Sequence, residues 1–115
     1  MTYDLQDSGT PDTFRGGATR DCRTGKGRFD LISPHGLKRL AVVYEKGAAR
    51  RGDRNRERGI PVTRCLDSAL RHITQYLAGE ADEDHIAQAT WNLFAVMHFE
   101  AVKPEMQDLP TQRIT

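Results

Sequence analysis

Two acidic side chains, each on a different predicted helix, are the residues of this sequence best suited to chemistry. At 100° per residue, Glu45 falls beside the apolar stripe of one predicted helix, and Asp67 flanks the stripe of the next. Helical bundles bind metals and ligands with polar groups at the margin of a core face, and hard divalent cations prefer carboxylate oxygens. We therefore predict that Glu45 and Asp67 are catalytic and metal-binding. The alternative is ordinary surface charge, because Asp67 precedes Arg71 by four residues and can form an ion pair with it.

Three neutral polar side chains lie beside the same predicted core. His72 flanks the stripe of the second helix, and His85 and Asn92 are seven residues apart, so they share one face of the third. Imidazole and amide groups in such places can bind a ligand, and we predict all three as substrate-binding residues. The structural alternative is a pair of hydrogen-bonded boundary histidines and an asparagine that satisfies a backbone group.

Charge is segregated along the chain. Residues 46–58 hold six basic side chains against two acidic ones, while residues 80–84 hold four carboxylates. A basic and an acidic segment on one small domain suit a phosphate ligand with its metal ion, although solvated loops give the same pattern. Glu80 and Asp84 join the candidate metal ligands on this basis.

The segment Gly25 to Arg28 is a candidate phosphate-binding loop. Its two glycines allow the backbone to approach a phosphate closely, and Lys26 and Arg28 supply positive charge. The full P-loop spacing is missing. Arg54, in the charged loop that follows the first helix, is a further candidate for neutralising phosphates.

Three helices must position these groups. Ser33 and Pro34 form a helix start, and apolar spacing predicts helices over about 34–50, 62–78 and 84–102, with no credible strand and no internal repeat. The predicted apolar stripes are listed in chain order: Leu37, Leu40, Ala41, Tyr44 and Ala48; Leu66, Ala69, Leu70, Ile73 and Leu77; Ile86, Ala89, Leu93 and Met97. The fold class is therefore all-α.

The predicted domain organisation is a flexible N-terminal arm over 1–24, a helical domain over 25–103 that contains the candidate binding residues, and an irregular tail over 104–115. The third helix also carries apolar groups on a second side, at Ala87, Trp91 and Phe94. So broad an arc needs a further partner surface. We predict a bundle completed by homodimerisation, and the alternative is a monomer that uses the arm as cover.

Composition excludes several classes of protein. The 115 residues suit one domain, and a formal net charge of +1 argues against a bulk nucleic-acid binder. The sequence contains no apolar run long enough to span a membrane and no apolar leader, so we expect a cytoplasmic protein. Cys22 and Cys65 lack metal-ligand spacing, which favours reduced, incidental thiols.

Short motifs in a fixed order give a more specific indication. They are Gly-Lys-Gly-Arg-Phe-Asp-Leu-Ile-Ser-Pro (25–34), Tyr-Glu-Lys-Gly-Ala (44–48), Gly-Asp-Arg-Asn (52–55), Leu-Asp-Ser-Ala-Leu-Arg-His (66–72), Leu-Ala-Gly-Glu (77–80), Asp-His-Ile-Ala (84–87) and Trp-Asn-Leu (91–93). Over about residues 17–100 the sequence resembles a small, mostly phage-encoded family, the dATP/dGTP diphosphohydrolase N-terminal domain. Asp30 and Asn55 stand in these motifs and complete the predicted substrate-binding set.

The resemblance implies a particular activity. That family is placed near the all-α, MazG-like nucleotide pyrophosphohydrolases, which implies a helical dimer that cleaves a purine dNTP to dNMP and pyrophosphate with Mg²⁺ or Mn²⁺, in the host cytoplasm if phage-encoded. The acidic runs of the MazG-like group, Glu-Glu-x-x-Glu and Glu-x-x-Asp, are absent here, and His85 and Asn92 stand where acids are expected. The alternatives are a protein that binds or sequesters a nucleotide without cleaving it, and an inhibitor of a host protein that uses the basic loop at 50–58.

Overall fold

The computed structural model describes residues 9–111, and the chain divides into two compact units, residues 1–32 and 33–115. In the first unit two short antiparallel strands, β1 (Asp12–Thr13) and β2 (Thr19–Arg20), form a hairpin. The prediction of no strand is therefore wrong for these four residues, which are too few to show an alternating pattern. The flexible arm predicted for 1–24 stays a prediction, and residues 1–8 lie outside the described part.

A glycine closes the turn of this hairpin. The Phe14 amide donates to the Ala18 carbonyl, and the Gly17 amide donates to the Phe14 carbonyl, each at 2.9 Å. Gly17 has φ of 90°, in the left-handed region that a residue with a side chain rarely adopts. The chain then continues to a single 3₁₀ turn at Phe29–Leu31.

The first helix of the second unit, α1, spans Pro34–Arg51, in agreement with the predicted 34–50. Ser33 is its N-cap, and the Gly36 amide donates to the Ser33 hydroxyl at 3.2 Å. Proline follows at the first helical position, where its missing amide hydrogen is not needed. A 3₁₀ turn at Asn55–Arg58 connects α1 to the next helix.

The second helix, α2, spans Val62–Leu77 and takes its N-terminal cap from a distant part of the chain. Pro61 precedes it and offers no side-chain cap. Instead the Thr63 amide and hydroxyl both donate to the Asp108 carboxylate, at 2.9 and 2.6 Å. These bonds lower the pKa of Asp108. Asp108 belongs to the tail predicted to be irregular, which contains one 3₁₀ turn at Pro104–Met106. Residues 112–115 of that tail lie outside the described part.

The third helix, α3, spans His85–Val102, as predicted to within one residue. Asp84 is its N-cap and accepts from the Ala87 amide at 3.2 Å. The same carboxylate accepts two bonds from the Arg39 guanidinium of α1, at 2.9 and 2.6 Å. Asp84 therefore starts α3 and fixes it to α1 at the same time.

The core lies between α2 and α3, which run antiparallel, and α1 packs on the side of α3 that carries Trp91. Its centre is the cluster of Cys65, Ala95 and Phe99. Small buried side chains such as Ala89 allow the two helices to approach closely. The loop before α2 is tight as well, because a Cβ on Gly59 would lie 2.7 Å from the Met106 sulfur.

The predicted apolar stripes are only partly buried. On α2, Leu70 is 64% and Leu77 80% exposed, and the buried positions are those of Val62, Cys65, Ala69 and His72. On α1, Leu40 is buried while Leu37 and Ala41 are exposed. The reason is geometric: one neighbouring helix covers a narrower arc than the apolar side chains occupy.

Five uncovered side chains define an apolar face: Leu70, Ile73 and Leu77 of α2 and Leu93 and Met97 of α3, all of them exposed. In each of two antiparallel helices, a side chain can be located by its angle around the helix axis, measured from the line of contact with the other helix. Side chains with similar angles on the two helices lie on the same side of the pair. Leu93 and Met97 are roughly 120–160° around α3 from Trp91, which packs against α1. The apolar face is therefore on the side of the α2–α3 pair away from α1.

Candidate functional site

A chain of hydrogen bonds joins α2 to the start of α3 through two histidines. His72 Nδ1 lies 2.9 Å from His85 Nδ1, and His85 Nε2 lies 2.9 Å from Asp82 Oδ1. His85 is 2% and His72 7% exposed, whereas Asp82 is exposed. The three side chains therefore connect the interior of the α2–α3 pair to its surface.

The hydrogen-bond pattern fixes the protons of the neutral pair. Asp82 is an acceptor, so His85 Nε2 carries a proton and donates it. His85 Nδ1 is then an acceptor, and His72 Nδ1 donates to it. Burial lowers the pKa of His72, and the neighbouring His85 and Arg71 lower it further. The bond from His85 likewise lowers the pKa of Asp82.

Asp82, Glu83 and His85 form a group of possible metal ligands, with one ligand atom from each lying within 4.8 Å of the others. Within residues 9–111 no other group of three His, Cys, Asp or Glu side chains does so. The sequence pattern indicated only negative charge at Asp82 and Glu83. The spacing of three residues between Asp82 and His85 was the available signal, since it places two side chains on one turn.

The four predicted metal ligands do not lie in this group. Glu45, Asp67 and Glu80 are exposed, and Asp67 lies 3.9 Å from Arg71 in a surface ion pair. Asp84 is occupied by Arg39 and the α3 N-terminus, and its pKa is lowered by Arg39 first. In the described part of the chain these carboxylates do not come together as a three-ligand group.

The predicted substrate-binding residues of the helices have partners inside the protein. Asn92 is 8% exposed, and its amide donates to the Gln88 carbonyl of the same helix at 2.9 Å. Both ring nitrogens of His85 form hydrogen bonds, with His72 and with Asp82. These groups shape the interior of the unit, while Arg54 and Asn55, at the start of the 3₁₀ turn, are exposed.

Arg56, in the same turn, covers an aromatic pair. Its guanidinium carbon lies 4.8 Å from the Tyr44 ring centroid, and the Tyr44 and Trp91 centroids are 6.1 Å apart. Burial raises the pKa of Tyr44, although Arg56 opposes the shift. Arg56 Nε is buried and has no hydrogen-bond partner among the described residues. Tyr44 and Trp91 therefore pack within the subunit.

The first unit contains an open cleft of about 1000 Å³. Its lining includes Phe14, Arg23, Lys26 and Arg28. Arg28 donates two bonds of 2.8 Å to Asp30, which raises the pKa of Arg28 and lowers that of Asp30. Asp30 thus neutralises Arg28. Lys26, the other predicted phosphate ligand of this unit, forms no ion pair with any described residue.

The comparisons with known proteins identify the family. The profile of the family described as dATP/dGTP diphosphohydrolase, N-terminal, matches residues 16–109. The chain belongs to this family. The resemblance predicted from the motifs is confirmed, and the dATP/dGTP diphosphohydrolase match extends past them to include Asp108. No curated protein and no solved structure matches the chain.

A final observation concerns membranes. Among the described residues, none of the helices combines the length and apolar character that crossing a lipid bilayer requires.

Proposed function

We propose that this chain binds purine deoxynucleoside triphosphates and hydrolyses them to a monophosphate and pyrophosphate. In that reaction water attacks the α-phosphorus, the bond to the α–β bridging oxygen breaks, and the water gives up a proton. The observation that carries the proposal is the family match over residues 16–109, because the description of that family names diphosphohydrolysis of dATP and dGTP.

The charged side chains support roles in binding and reaction. Arg54 of the second unit is an exposed cation suited to phosphate oxygens. Considered within its own unit, Lys26 is an exposed cation of the same kind. Arg28 serves the same purpose once its bonds to Asp30 are exchanged for bonds to phosphate. Glu45 and Asp67 are the proposed reactive carboxylates, and both are exposed on their helices.

A resident Mg²⁺ or Mn²⁺ ion at the four predicted carboxylates does not fit the structure as it stands. Asp84 is bound by Arg39, and Asp67 is paired with Arg71. Mg²⁺ is usually held by one or two carboxylates together with substrate phosphates. We therefore propose that the ion arrives as the metal complex of the triphosphate, and that the protein contributes negative charge from Glu45 and Asp67.

The direct test is a panel of the four dNTPs. Purified chain is incubated with each dNTP and Mg²⁺ or Mn²⁺, and the products are separated by chromatography. We expect dAMP and dGMP with equimolar pyrophosphate, and less product from the pyrimidine substrates. Release of inorganic phosphate or triphosphate in place of pyrophosphate would contradict the proposed bond cleavage.

Binding without hydrolysis is the second candidate function. The ion pairs of Asp67 with Arg71 and of Asp84 with Arg39 favour it, since carboxylates so neutralised attract a cation weakly. In that case calorimetry detects binding of a purine nucleotide while the panel yields no product.

We also propose that two copies of the chain associate through the apolar face of α2 and α3. A contiguous exposed apolar patch marks an interaction site, and a two-fold axis pairs such a face with itself. The apolar second side predicted for α3 is divided in the structure: Ala87 and Trp91 pack inside the subunit, and Phe94 is exposed.

Light scattering is expected to give twice the chain mass of 13.0 kDa. Leu93→Lys should shift the protein to the monomer mass, because it places a charge at the centre of the apolar face. Ala41→Lys, on the exposed side of α1, is the matched control and should leave the dimer intact. A wild-type protein that is monomeric at micromolar concentration would contradict this association.

A further inference from the structure

We propose that Asp82, Glu83 and His85 bind a divalent transition-metal ion such as Zn²⁺. This site goes beyond the nucleotide reaction, since it involves neither Glu45 nor Asp67. Three observations carry it: the spacing of the ligand atoms, the charge around them and the support behind His85.

The ligand atoms of the three side chains lie close together. Two ligands of one Zn²⁺ ion lie about 3.0–3.4 Å apart when each is about 2.1 Å from the metal. His85 Nε2 and Asp82 Oδ1 are 2.9 Å apart, and one oxygen of Glu83 lies within 4.8 Å of both. Because Asp82 and Glu83 are exposed, small rotations of their side chains complete the set.

The charge of the group favours a cation. Among the described residues, no lysine or arginine forms an ion pair with Asp82 or Glu83, and the hydrogen-bond partner of Glu83 is the uncharged Gln88 amide at 3.0 Å. The adjacent Asp84, in contrast, is neutralised by Arg39. Two carboxylates beside an imidazole thus lack a lysine or arginine partner at the point where a metal ion would supply positive charge.

The imidazole ring of His85 is oriented by a hydrogen bond, as the rings of metal-bound histidines usually are. Such histidines nearly always use the second ring nitrogen in a hydrogen bond that fixes the ring. His85 is almost fully buried, and its Nδ1 is 2.9 Å from His72 Nδ1 on α2. Its Nε2 is therefore directed at the surface carboxylates by a contact outside the ligand group. A metal ion at Nε2 requires the other tautomer of the pair, in which the proton of His85 lies on Nδ1 and is donated to His72 Nδ1, while His72 carries its own proton on Nε2.

The donor set selects the class of ion. Imidazole suits Zn²⁺, Co²⁺ and related transition metals, whereas Mg²⁺ and Ca²⁺ prefer all-oxygen sites. One nitrogen and two carboxylate oxygens leave further coordination positions for water. We therefore expect the site to prefer Zn²⁺ to Mg²⁺.

The test is a titration of the full chain, stripped with EDTA, by calorimetry with Zn²⁺ and separately with Mg²⁺. One Zn²⁺ per chain is expected, bound at least about tenfold more tightly than Mg²⁺. Asp82→Asn and Glu83→Gln should each weaken Zn²⁺ binding at least about tenfold, because even groups behind the ligands affect affinity on that scale. Glu100→Gln removes an exposed carboxylate of α3 that lies outside the ligand group and should leave the affinity within about twofold.

A second measurement identifies the histidine without replacing it. In ¹H–¹⁵N spectra of the imidazole nitrogens, Zn²⁺ should shift the signals of His85 and leave those of His35 on α1 in place. The proposal is overturned by the absence of Zn²⁺ binding, by equal affinity for Mg²⁺, or by binding that survives both carboxylate substitutions. Neither measurement contains a nucleotide, so its result is independent of whether dNTP hydrolysis is found.

Discussion

Replacing Glu45 with glutamine, or Asp67 with asparagine, is expected to reduce pyrophosphate release at least about a hundredfold. Each substitution keeps the shape of the side chain but removes the negative charge that a triphosphate-bound Mg²⁺ ion requires. Both side chains are exposed, so the thermal midpoint should stay within about 3 °C of wild type. Rates are measured by pyrophosphate release and midpoints by circular dichroism.

Two controls separate the possible outcomes. Glu100→Gln removes another exposed carboxylate, on α3, and should leave the rate unchanged. If the chain only binds nucleotides, Glu45→Gln and Asp67→Asn should bind as well as wild type or better, because a repulsive charge is lost. Full hydrolysis by both variants would show that other carboxylates serve the reaction.

Replacing His85 with leucine in metal-free protein should lower the free energy of unfolding by about 2–4 kcal/mol. The reason is that His72, which is 7% exposed, would keep a buried polar nitrogen without its partner. His72→Leu should cost a similar amount for the same reason. Urea denaturation in the presence of EDTA measures both, and His35→Leu, at an exposed position of α1, should change stability by less than about 0.5 kcal/mol.

The double variant distinguishes this contact from two independent sites. When both histidines become leucine, no unpaired buried nitrogen remains, so the loss should be at least about 1 kcal/mol smaller than the sum of the single losses. Additive losses would mean that the 2.9 Å contact between the two rings contributes nothing specific to stability.

Local signals predicted the helices well. The Ser33–Pro34 start of α1 depends on residues within a few positions of the helix end, and the structure begins α1 at that point. The predicted bounds of α3 agree with the structure to within one residue. Such signals act through backbone groups of the same turn, so they can be read from a single sequence.

The site was predicted less completely, because it depends on the register of α2 against α3. Periodicity placed His72 and His85 at the edges of their stripes, but only the packing of the two helices shows that their rings meet. Asp82 lies in a loop without periodicity, so its bond to His85 was not predicted. Leu70 and Leu77 were predicted to be buried, since an apolar stripe does not reveal which part of it a neighbouring helix covers.

The bond between Thr63 and Asp108 has a consequence for synthesis of the chain. The two residues are 45 positions apart, so the first turn of α2 leaves the ribosome before its cap has been made. At roughly 5–20 residues per second, the amide of Thr63 waits about 2 to 9 seconds for its acceptor. Arg39 waits over the same separation for Asp84. The nascent helices therefore emerge in chain order, but the bonds that hold their ends form later, and the cap of α2 forms last.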